Sequence, residues 1–95
     1  MPVEKSIFTR DYGVFLKTLR RLRDESGRTQ SEVAKSLKRT QSVVSKCERG
    51  ERRLDVIELR AYCNGIGIDF QEFAKILESD LAVASRGTVS LKTKK

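Results

Sequence analysis

Apolar residues in this chain recur at intervals of three and four, and each run of them is bracketed by residues that start or stop a helix. Tyr12, Phe15, Leu16, Leu19 and Leu22 fall on one stripe, which predicts a first helix from about Thr9 to Ser26 with Gly27 ending it. Thr29 followed three residues later by Glu32 is a capping box, in which hydroxyl and carboxylate each satisfy a backbone N–H left over at the start of a helix. The helix it opens keeps Val33, Ala34 and Leu37 in helical spacing. Thr40 opens a third helix, with Val44 and Cys47 facing inward and Gly50 placed to stop it. Asp55 and Glu58 form another capping box. The fourth helix that follows carries Val56, Leu59, Tyr62, Cys63 and Ile66 inward and ends near Gly67. Asp69, with Glu72 as box partner, opens a fifth helix bearing Phe70, Phe73, Ile76 and Leu77. The reading is all-α, with residues 1–8 as an N-terminal arm, residues 9–78 as one helical domain and residues 79–95, rich in Ser, Thr and Lys, as a flexible basic tail.

Helices 2 and 3 lie almost back to back, with too little chain between them for anything but a tight turn. That is a helix-turn-helix. Wound at about 100° per residue, the third helix puts Val44, Cys47 and Glu48 on one side and Ser42, Ser45, Lys46 and Arg49 on the opposite arc. The outer arc holds hydroxyls and cations and no carboxylate, which suits nucleic acid. Gln41 and Ser42 sit in the first turn, where a recognition helix in the major groove brings side chains closest to base edges. A glutamine can pair with adenine through two hydrogen bonds, and lysine or arginine can meet guanine or phosphate.

Thr29-Gln30 at the start of helix 2, Gln41-Ser42 at the start of helix 3 and Ser45-Lys46-Cys47-Glu48-Arg49-Gly50 at its close resemble the Cro/repressor-type helix-turn-helix proteins, the Xre family, over roughly residues 9 to 78. The resemblance implies a five-helix, lambda-repressor-like DNA-binding domain with its helix-turn-helix at helices 2 and 3. It also implies roles for particular residues: Gln30 holds a DNA phosphate and braces the recognition helix, while Gln41, Ser42 and Lys46 meet bases. Two residues depart from the family pattern, both in the turn. Lys38 stands where glycine is usual, which costs roughly 1–2 kcal/mol if the backbone there is left-handed. Arg39 replaces a commonly apolar residue and adds charge near the DNA. Thr40 caps the recognition helix beside it, and Arg52 and Arg53 follow as candidates for phosphate contact.

By the same winding, Arg23 joins the buried stripe of helix 1 and Glu48 that of helix 3. Opposite charges on facing apolar sides should pair, since an isolated buried charge is costly. The family has a matching arginine and glutamate that bridge these helices, so the pair is read as structural.

Charge adds to the picture by where it lies. The 95 residues carry a net +7, and between Arg28 and Arg53 eight cations stand against three anions (Glu32, Glu48 and Glu51). A basic patch on the motif meant for DNA is the expected electrostatic footprint. Only 6% of residues are aromatic, so the core must be built mainly from Leu, Val, Ile and Ala.

An enzyme is the contrasting class. The chain has no histidine for acid–base work, no glycine-rich phosphate loop, and no base beside Cys63 that would make it a nucleophile. Without histidine a zinc site lacks ligands, no cofactor is expected, and Cys47 and Cys63 read as buried reduced thiols. No segment reaches membrane-spanning length and the N-terminus lacks a signal-peptide core, so the expectation is a cytoplasmic protein with no membrane partner. The expected partner is double-stranded DNA, held by a homodimer that occupies an operator and regulates transcription. The alternative is an antitoxin or other interaction protein that uses the same fold to hold a toxin or the transcription machinery.

Overall fold

The structure, a computed structural model, describes residues 9–93, with side chains described through residue 85. It consists of α1 (Arg10–Ser26), α2 (Gln30–Leu37), α3 (Gln41–Glu48), α4 (Val56–Gly65) and α5 (Phe70–Thr93). Each of the first four starts at a capping side chain. Thr9 accepts from the Tyr12 N–H at 3.2 Å and Thr40 from the Val43 N–H at 3.2 Å. Thr29 with Glu32 and Asp55 with Glu58 complete reciprocal capping boxes.

The helix ends share one closing device. At α4 the Ile68 N–H reaches the Cys63 carbonyl and the Gly67 N–H reaches that of Asn64, with Gly67 left-handed at φ 79°. Gly50 closes α3 in the same way at φ 82°. Lys38 closes α2 with the same pair of bonds at φ 58°, and among the described residues it is the only non-glycine with positive φ.

The helices surround one core of Leu16, Leu19, Leu22, Val33, Ala34, Leu37, Val44, Tyr62, Cys63, Ile66 and Phe73. α2 packs on α3 and α4, and α1 lies along α5. Gly65 permits the close α2–α4 approach, because a Cβ there would lie 2.9 Å from Ser36 Oγ and 3.1 Å from Ser36 Cβ. Cys47 and Cys63 are buried and reduced, and burial pushes the Cys63 thiol up to about 11.

Two expectations change. Val56, drawn on the inward stripe of α4, is 61% exposed, as its neighbour Ile57 is 71% exposed; helical spacing marks a face but not where the neighbouring helices stop covering it. α5 does not end at residue 78: where a flexible tail was expected, the helix continues to Thr93. Asp80 accepts from Thr18 Oγ1 at 2.6 Å and from Arg21 Nη1 at 2.9 Å, and Arg10 Nη2 reaches Ser85 Oγ at 3.2 Å. This segment is therefore fastened to α1 by polar groups rather than by the apolar spacing that marks a core helix. The arm at residues 1–8 lies outside the described residues.

Candidate nucleic-acid interface

The interface is organised around a carboxylate in the core. Glu48, at the end of α3, is 2% exposed, and Arg23 from α1 grips it through Nε at 2.7 Å and Nη2 at 3.0 Å. Tyr62 of α4 donates its hydroxyl to Glu48 Oε2 at 2.6 Å, and Gln30 of α2 donates Nε2 to Oε1 at 2.9 Å. Arg20 also donates to the Glu48 backbone carbonyl at 2.8 Å. Four helices thus converge on one residue. Burial pushes the Glu48 carboxyl upward, but hydrogen bonds from Arg23, Tyr62 and Gln30 outweigh it and hold the group below its ordinary value. Tyr62 shifts the other way, raised by burial and by its bond to the carboxylate.

From this centre the bonds run outward to the surface. Gln30 Oε1 accepts from Gln41 Nε2 at 2.6 Å, so the first residue of α3 is joined through Gln30 to the buried carboxylate. Gln41, Ser42, Lys46 and Arg49 are exposed, and Ser45 is half-buried and accepts from Arg49. Val44, Cys47 and Glu48 are buried on the other side of the same helix. Beside Gln41, an open depression of about 420 Å³ is lined by Arg23, Arg28, Thr29, Gln30, Ser31 and Gln41, where α2 begins. Backbone N–H groups at a helix start and nearby guanidinium groups favour an anion there.

The remaining cations are placed by intramolecular partners that sequence alone did not reveal. Arg39 Nη2 lies 3.3 Å from Glu58, and Arg52 grips the same carboxylate at 3.1 and 2.9 Å while approaching Cys47 Sγ at 3.6 Å. The bonds from Arg52 and from the Asp55 backbone bring Glu58 down to about 2. Arg49 pairs with Glu51 at 3.0 Å, and the Arg53 guanidinium stands 4.4 Å from the centre of the Tyr12 ring. Glu58 is thus both the partner of the Asp55 cap and the anchor for two arginines. Its capping pattern was visible in the sequence; the distant arginines were not.

Among the described residues no cluster of His, Cys, Asp and Glu is placed to hold a metal ion, and no helix is long and apolar enough to cross a membrane. The family model for a helix-turn-helix domain matches residues 15–75. Among solved structures, an XRE-family like protein from Pseudomonas syringae pv. tomato is 43% identical, covering 83% of this chain and 96% of that one, with a TM-score of 0.70. No curated protein matches the chain. The family match and the shared fold assign DNA binding and transcription regulation as the general function. The chain belongs to the Xre family of helix-turn-helix proteins.

Proposed function

We propose that the protein binds double-stranded DNA sequence-specifically and regulates transcription by occupying an operator, with α3 as its recognition helix. The observation that carries this reading is the placement of Gln41, exposed at the first turn of α3 and tethered by Gln30, next to exposed Ser42 and Lys46. A side chain fixed in this way loses less freedom on binding than a mobile one and meets a base edge in one geometry. Gln41, Ser42 and Lys46 read bases, with adenine the match for Gln41. Gln30 and the start of α2 take a phosphate, and Arg39, Arg49, Arg52 and Arg53 supply positive potential around it.

Two copies bind as a two-fold pair, with half-sites about one helical turn (roughly 34 Å) apart. Phe73 is 1% exposed and belongs to the core, while Phe70, Ile76 and Leu77 pack partly against it and keep part of their surface. Val83, 54% exposed further along α5, supports a contact between copies there.

Selection of bound sequences from a random DNA pool tests both parts. The expected product is an inverted repeat with a required adenine in each half. Gln41→Ala should weaken binding to that site by roughly 1–3 kcal/mol and to random DNA hardly at all. Equal losses on both would remove Gln41 from base readout, and recovery of unpaired single half-sites would remove the dimer.

A further inference from the structure

The bond network fixes more than the position of Gln41. An ionised carboxylate can only accept hydrogen bonds, so Glu48 Oε1 requires Gln30 to turn its NH2 inward, as it does at 2.9 Å. The Gln30 carbonyl must then face outward. It accepts from Gln41 Nε2 at 2.6 Å, which leaves the Gln41 carbonyl and its second N–H for a ligand. One acceptor and one donor side by side match the N6 amino group and N7 of adenine. The reverse arrangement, two N–H groups outward, would match guanine, whose O6 and N7 both accept.

We propose that Glu48, although in the core, determines base specificity by setting through Gln30 which end of the Gln41 amide faces the DNA. This rests on the reading of Gln41 as a base-contacting residue. Glu48 touches no base and is a positioning residue. Its ionised state follows from its surroundings, since Arg23 grips both carboxylate oxygens and Tyr62 donates to one of them.

Glu48→Gln alters the network with little change in shape. Its amide nitrogen at the Oε1 position would displace Arg23 Nη2, which donates to Oε1 at 3.0 Å, and Gln30 would answer with its carbonyl, so that Gln41 would then turn its NH2 outward. Wild-type protein should prefer adenine over guanine at the contacted position by roughly 5- to 150-fold. In Glu48→Gln that ratio should fall toward one or invert, while cytosine and thymine stay disfavoured. Tyr62→Phe removes a bond but keeps the carboxylate, so it should lower stability and leave the base ratio unchanged. A wild-type ratio in Glu48→Gln, or equal relaxation toward all four bases, would overturn the proposal.

Because Glu48→Gln also loosens the Arg23 pair, a second measurement uses Gln30→Leu and the free wild-type protein. The Gln41 side-chain amide resonances should be shifted and protected in wild type compared with exposed Gln71, and should become Gln71-like in Gln30→Leu. Wild-type Gln41 resonances that already resemble those of Gln71 would overturn the network itself. That result is obtained without DNA. It is therefore distinct from failure of the base-contact reading, which would appear as an unchanged base preference in Gln41→Ala.

Discussion

Lys38 holds φ 58° and ψ 42° at the end of α2, a conformation Gly50 and Gly67 adopt without a side chain to strain. Left-handed backbone costs a non-glycine residue roughly 1–2 kcal/mol, and glycine gives back part of that through a more flexible unfolded chain. Lys38→Gly should therefore stabilise the protein by about 0.5–1 kcal/mol, a rise in Tm of roughly 2–8 °C. A Tm equal to or below that of wild type would show the position unstrained. At Arg23 the sign is opposite. Arg23→Ala leaves the buried Glu48 carboxylate without its cation, and denaturant unfolding should show a loss of about 3–5 kcal/mol. Wild type should also weaken in acid. The folded-state pKa values of Glu48 and Glu58 are depressed, so the stability they contribute is present above the ordinary carboxylate range and is lost as pH falls through it toward about 2, the value Glu58 reaches. Unfolding curves between pH 7 and 2 check this, and a flat profile would contradict it.

At the scale of elements, what could be read from the sequence was whatever a short window decides. Thr29 with Glu32, and Asp55 with Glu58, marked helix starts because both halves of each capping box lie within four residues. The inward positions of α3 followed from winding alone. The Arg23–Glu48 pair could be read across 25 residues because both charges fell on buried stripes, but nothing marks Glu58 as the partner of exposed Arg39 and half-buried Arg52, or Tyr62 as that of Glu48. The continuation of α5 was hidden because its hold on α1 rests on the polar side chains of Asp80 and Ser85 and not on an apolar repeat. Asp80→Ala would remove the partner of Thr18, a buried hydroxyl, and of Arg21. The Thr18 hydroxyl can turn to the Val14 carbonyl at 2.9 Å, which limits the loss to roughly 1–2 kcal/mol. Thermal unfolding would measure it, and no change in Tm would mean that this bond does not hold α5.

For the whole molecule, the positive charge acts collectively, but its members are unequal. Arg52 is tied to Glu58 and Arg53 lies over Tyr12, so replacing either disturbs the fold as well as the field. Lys46 is exposed on α3 and gives the cleaner test. Lys46→Ala should reduce the log–log salt slope of DNA binding by about 1 without moving the Tm, and an unchanged slope would remove Lys46 from the interface. The Thr18–Asp80 bond joins residues 62 apart in the chain, whereas α2 meets α3 and α4 across short turns. Closing that long loop is the step with the largest entropy cost, so the helix-turn-helix can assemble on α4 before α5 docks. Damage at Asp80 will then speed unfolding and leave the rate of folding nearly as it was.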